Sequence, residues 1–88
     1  MPTSSEVVVT LPAEVDLHAR PAAQFVRTAV SFASPIEISA GDRVADAKSL
    51  LAVLALGAKG GTTLRLTAEG DDAADALEAL SNCVAQLV

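Results

Sequence analysis

Two stretches of the chain carry apolar residues on only one side of a helix, and a one-sided helix must be covered by something else. After Pro21, the residues Ala22, Phe25, Val26, Ala29 and Val30 recur at helical spacing, which predicts a helix over 19–31 with a single stripe to bury. After Asp72, a residue suited to an N-cap, Ala73, Leu77, Leu80, Val84 and Leu87 form a second stripe running to the C-terminus. The surface they need is supplied by strands. "EVVVTL" (6–11) is short and β-branched, "PIEIS" (35–39) alternates Ile36 and Ile38 with polar residues, and "TTLRLTA" (62–68) alternates Leu64, Leu66 and Ala68 with Arg65 and Thr67. "GDRVAD" (41–46) opens on a turn signal and continues as a charged strand of the composition expected at a sheet edge.

"SLLAVLAL" (49–56) is too short for periodicity alone to separate helix from strand. Ser49 as N-cap and Gly57 as the residue that ends the run favour a helix, with Gly60 and Gly61 following. The order β-α-β-β-α-β-α lacks the strict alternation of a doubly wound parallel sheet. It predicts an α+β architecture, an antiparallel sheet with its helices on one face. No repeat, linker or low-complexity segment interrupts residues 1–88, so a single domain is expected, and only "MPTSS" reads as loose. A chain of this length buries only about 60% of its unfolded surface. That leaves room for a core of Ala, Val, Leu and Ile around Phe25 and Phe32, but little for a deep, enclosed active site.

Charge narrows the function classes. Six basic and eleven acidic residues give a net charge of -5, and beyond Arg65 come Glu69, Asp71, Asp72, Asp75 and Glu78 with no base among them. Such a balance argues against nucleic acid as a partner. Arg20, Arg27, Lys48 and Lys59 all precede that acidic end, so a local positive region for an anion stays open. No apolar stretch is long enough to span a bilayer, and "MPTSSEVVV" lacks the features of a signal peptide. A cytoplasmic protein without membrane contact is expected. The single cysteine, Cys83, has no second thiol for a disulfide or a zinc motif and reads as a helix residue.

The only histidine, His18, stands in "DLHARPAAQFV". A lone histidine in a small domain is ordinarily a surface or half-buried residue without a role. Its context differs, because Pro21 and the apolar stripe place it at the mouth of a helix, where unpaired backbone N–H groups and the positive end of the dipole form a site for phosphate. Arg20 adds a fixed charge and several donors. A phosphoryl acceptor must be a neutral, nucleophilic imidazole, and the dipole and the arginine both oppose the extra charge of an imidazolium. Other chemistries find no support: "GAKGG" lacks the spacing of a nucleotide loop, no second histidine or cysteine offers a metal site, and Ser49 with His18 and an aspartate lacks a nucleophile-elbow pattern.

"LHARPAAQFV" followed by "AKSLLAVLALGAKGG" resembles HPr, the phosphocarrier family of the phosphoenolpyruvate-dependent sugar phosphotransferase system, and the resemblance covers nearly the whole chain. It implies an open-faced β-sandwich, a four-stranded antiparallel sheet with three helices on one face. It also implies a carrier with no turnover of its own and no cofactor or metal. His18 would accept a phosphoryl group on Nδ1 from enzyme I and pass it to enzyme IIA domains, with Arg20 assisting the transfer. Ala19, Ala23, Leu50, Leu51 and Leu54 would form the docking surface of a monomer, with Leu50 and Leu51 at least partly exposed. Ser49 matches a serine that an HPr kinase/phosphorylase modifies in many relatives. The alternatives are a specialised paralogue serving fructose, dihydroxyacetone or nitrogen-related signalling, or a mainly regulatory binding protein acting through Ser49. One departure stands out: Asp16 occupies a position where the family usually has glycine. A left-handed backbone is expected there, with the carboxylate turned towards His18.

Overall fold

Alternation of apolar and polar residues decides the sheet. A computed structural model describes residues 4–87, in the order β1 (Ser4–Thr10), α1 (Ala19–Val30), β2 (Ile36–Ala40), β3 (Arg43–Asp46), α2 (Leu50–Leu56), β4 (Thr63–Glu69) and α3 (Ala73–Ala85). The four strands form one antiparallel sheet with spatial order β1-β4-β2-β3. Val7 pairs with Leu66 and Val9 with Leu64 across β1 and β4, and Ile38 pairs with Leu66 across β2 and β4. These residues share one face because side chains alternate along a strand. Ile36, Ile38, Leu64, Leu66 and Ala68 on that face are buried beneath the helices, together with Ala22, Phe25 and Ala29 of α1, Val53 and Leu56 of α2, and Ala73, Leu77, Leu80 and Val84 of α3. The opposite face, which includes Glu6, Val8, Arg65, Glu37 and Val44, is exposed. This is the open-faced sandwich, with the charged strand β3 at an edge.

Four local expectations are corrected. β1 starts at Ser4 rather than residue 6, because Ser4 and Ser5 continue the ladder opposite Glu69 and Ala68 of β4; Met1–Thr3 of the stretch read as loose lie outside the described residues. In α1, Ala22, Phe25 and Ala29 are buried, but Val30 is 53% exposed, and the helix stops there, with the Ser31 N–H reaching back to Thr28. α3 stops at Ala85 rather than running to the C-terminus, with Leu87 still buried just beyond it. Asp72 flanks α3, but its side chain makes no capping bond. The carboxylate instead accepts hydrogen bonds from the Ala33 N–H at 2.8 Å, the Ser34 N–H at 3.0 Å and the Ser34 hydroxyl, tying α3 to the α1–β2 loop.

α2 forms as its caps predict. The Ser49 hydroxyl accepts from the Ala52 N–H at 3.2 Å, and Gly57 takes the left-handed conformation (φ 62, ψ 29) that ends the helix. Two contacts orient α2 against α1. At its start, Lys48 Nζ donates to the Phe32 carbonyl at 2.7 Å, just beyond the end of α1. Past its end, the Ala58 carbonyl accepts from the Leu17 N–H at 2.8 Å, just before α1 begins. The two helices therefore run antiparallel, with the exit of α2 beside the entry of α1.

Candidate functional site

The entry of α1 is built by a loop that cannot bury its polar backbone unaided. Residues 11–17 are held against residues 58–62: the Leu11 N–H donates to the Thr62 carbonyl at 2.9 Å, the Gly61 N–H returns to the Leu11 carbonyl at 3.1 Å, and Leu17 bonds Ala58. Leu11, Val15 and Leu17 point inward and are buried. That anchoring leaves His18, the next residue, on the surface. His18 is the N-cap of α1, in an extended conformation (φ -142, ψ 160), and its imidazole makes no capping bond. The ring is thus free to react while its backbone is fixed. Ala19 and Arg20 follow, both exposed, with Arg20 carrying its guanidinium in the same first turn. No acidic residue occupies that turn, so nothing there offsets the positive end of the helix dipole.

Ala19 has φ 45, the only positive φ outside glycine among the described residues. A left-handed alanine costs roughly 1–2 kcal/mol, and such strain persists where the surroundings over-determine it. The left-handed residue of this loop is therefore Ala19, and not Asp16 as expected. The Asp16 carboxylate differs from expectation too. Its Oδ1 accepts from the Gly60 N–H at 2.8 Å, and among the described residues no ion pair joins it to His18.

Of the residues expected at the docking surface, Leu51 is 81% exposed and Leu50 41% exposed, whereas Ala23 and Leu54 are half-buried, with Leu54 packed against the core. α1 packs on α2, so Ala19 and Ala23 lie on the helix next to the one that carries Leu50 and Leu51, although the two leucines open α2 at the end remote from the entry of α1. The basic residues do not all gather there. Lys48 is committed to the Phe32 carbonyl at the far end of α1, whereas Arg20 stands in the first turn of α1 two residues after His18, and Lys59 follows Ala58, whose carbonyl holds Leu17. Ser49 lies at that far end too. α2 rises about 1.5 Å per residue over its seven residues, which separates Ser49 from the His18 end by about 10 Å.

Sequence reasoning did not find the Asp16–Gly60 bond, the strain at Ala19 or the Asp72 latch. The glycine pair 60–61 was its only local signal for the first of these. Gly60 is required because a Cβ there would meet the Ala13 carbonyl carbon at 2.7 Å and the Pro12 oxygen at 3.0 Å. Clefts lined by Ser4, Glu6, Glu37 and Glu69, or by Gln24, Arg27, Asn82 and Cys83, lie elsewhere. Among the described residues no group of three or more His, Cys, Asp or Glu could hold a metal ion, and no helix is long and apolar enough to cross a membrane. An exposed imidazole at a helix mouth, with an arginine in the same turn, can receive and release a group at the surface.

Comparison with known proteins agrees with that geometry. Residues 5–86 match the family model described as "PTS HPr component phosphorylation site". The chain is 44% identical to the phosphocarrier protein HPr of Haloferax volcanii over 79 residues, covering 88% of this chain and 89% of that protein. It is 42% identical to HPr of Vibrio cholerae over 82 residues, covering 93% and 96%. The crystal structure of HPr-C-His from Thermoanaerobacter tengcongensis superposes with a TM-score of 0.88 at 38% identity, covering 92% of this chain and 91% of that one. An open-faced sandwich carrying an exposed histidine at the start of its first helix, matched along nearly its whole length, belongs to the HPr family of phosphocarriers of the phosphotransferase system.

Proposed function

We propose that His18 is the residue through which this phosphocarrier works, accepting a phosphoryl group from enzyme I and delivering it to enzyme IIA domains in the cytoplasm. The observation that carries the reading is the exposed imidazole at the N-cap of α1, in a chain with no other histidine. On loading, a ring nitrogen, Nδ1 by analogy with the family, attacks phosphorus as the bond to the donor breaks. On delivery, a nucleophile of the acceptor attacks phosphorus and the bond to the His18 nitrogen breaks. Positioning and electrostatics dominate such a step. The backbone N–H groups of Ala19 and Arg20, at the positive end of α1, and the Arg20 guanidinium are the groups placed to stabilise the equatorial oxygens. Pro21 offers no N–H, so these two amides carry that task.

Leu50 and Leu51, with Ala19, Ala23 and the partly covered Leu54, form the apolar surface on which both partners dock. A small patch suits a carrier that must leave each partner quickly. Ser49 would be the point of regulatory phosphorylation.

Incubation with enzyme I and phosphoenolpyruvate, followed by mass spectrometry under alkaline conditions, tests the assignment. The chain should gain a single acid-labile phosphoryl group, and His18→Ala should gain none. Arg20→Ala should stay folded and accept the group at least about tenfold more slowly. A His18→Ala protein that still became phosphorylated would sink the assignment, and an unaltered rate in Arg20→Ala would remove the guanidinium from the mechanism.

A further inference from the structure

The segment that carries His18 is held by four hydrogen bonds to the loop leaving α2, and three of them join backbone to backbone: Leu11 N–H to Thr62, Gly61 N–H to Leu11, and Leu17 N–H to Ala58. The fourth is the Asp16 carboxylate, which accepts from the Gly60 N–H at 2.8 Å. It is the one tie that a side chain makes, and it lies two residues before His18. The loop between the ties turns on itself through the Val15 N–H to Pro12 carbonyl bond at 3.0 Å. Its outer edge rests against Gly60, where the Ala13 and Pro12 backbone leaves no room for a Cβ. Asp16 therefore fastens this turn to residue 60, where the two backbones approach too closely for a side chain.

We infer that Asp16 is a positioning residue for phosphoryl transfer: through the Gly60 N–H its carboxylate fixes the His18 loop in register with the exit of α2. The inference rests on His18 being the acceptor. An anionic acceptor makes a stronger hydrogen bond than a neutral one, and the same bond keeps a negative charge committed to Gly60. Downstream, Leu17 is buried and bonded to Ala58, His18 is extended and Ala19 is left-handed. This conformation survives only if the backbone on both sides is held. Because α2 also presents Leu50 and Leu51, the Asp16–Gly60 bond sets the imidazole against the surface on which a partner is seated. In-line transfer is sensitive to displacements of about 1 Å.

The test measures transfer from phosphorylated enzyme I to the wild-type chain, Asp16→Ala and Asp16→Asn, at a temperature where circular dichroism shows all three folded. Asp16→Ala should lower the rate within the complex about tenfold, leave the concentration dependence unaltered, and speed hydrogen exchange at the Gly60 amide. Asp16→Asn keeps an oxygen acceptor and should recover the rate to within about threefold of wild type. Wild-type transfer in Asp16→Ala overturns the inference, as does a loss confined to the concentration dependence, or an Asp16→Asn protein as slow as Asp16→Ala. A wild-type chain that takes no phosphoryl group on His18 overturns the assignment of the acceptor, and the role of Asp16 with it.

Discussion

Ala19 concentrates the backbone energy of the site. Its φ of 45 places an L-residue where roughly 1–2 kcal/mol is lost, while glycine at that position would cost roughly 0.5–1 kcal/mol through the greater freedom of the unfolded chain. The strain relieved is at least as large as the entropy added. Ala19→Gly should thus be neutral or stabilising by up to about 1.5 kcal/mol, the reverse of the usual penalty for glycine in a helix. Urea unfolding decides, and a loss of about 1 kcal/mol or more would show that alanine is at ease there. The place of His18 at a helix mouth was legible at this scale, since Arg20 and Pro21 start a helix by their own chemistry. The shape of the loop was not. The glycine that the family usually has at position 16 suggested a left-handed residue there, one that aspartate tolerates, but the left-handed turn falls on Ala19, a residue type that gives no such signal. Asp16 takes its orientation from Gly60, which is 44 residues away.

At the scale of elements, α2 connects capping to docking. Ser49→Ala removes the bond to the Ala52 N–H and should cost roughly 0.5–2 kcal/mol. Ser49→Asp keeps an N-cap acceptor and adds a charge favourable to the dipole, so it should remain folded. That charge sits at the end of α2 remote from His18, about a Debye length away at physiological salt. It must nevertheless be desolvated or repelled when a partner covers Leu50 and Leu51. Ser49→Asp is therefore expected to slow acceptance from enzyme I while leaving the lifetime of isolated phosphohistidine unaltered. A shortened lifetime would mean that the charge reaches the imidazole directly, contrary to the antiparallel placement of α1 and α2. The helix itself was readable in the sequence because Ser49 and Gly57 act within a few residues of themselves. The start of β1 was not: Ser4 and Ser5 have little strand preference, and they extend because β4 continues to Glu69 opposite them.

Across the whole molecule, the α1–β2 loop is where the helices and the sheet are locked together, and it is gripped from two sides. Lys48, at the start of α2, holds the Phe32 carbonyl. Asp72, at the start of α3, holds the N–H groups of Ala33 and Ser34 and the Ser34 hydroxyl. Ser34 is the one buried polar residue among those described, and Gly70 lacks the Cβ that would collide with its side chain. The Ser34 hydroxyl, followed by the Ala33 N–H, holds the Asp72 carboxyl below its ordinary value of 3.8, against a smaller opposing effect of burial. A carboxyl whose folded value is depressed adds stability that is fully present above its unfolded value. That stability drains away as pH falls through the lower folded value. Asp72→Ala should accordingly melt at a lower temperature than wild type at about pH 6, and the gap should narrow as the pH is taken down through the depressed folded value, below which the carboxyl is protonated in both the folded and the unfolded chain. Thermal melts followed by circular dichroism over that range provide the measurement, with exchange at the Ala33 and Ser34 amides as a local reporter. A gap of constant size at every pH would mean that Asp72 contributes through packing alone, and that the loop is held without its charge.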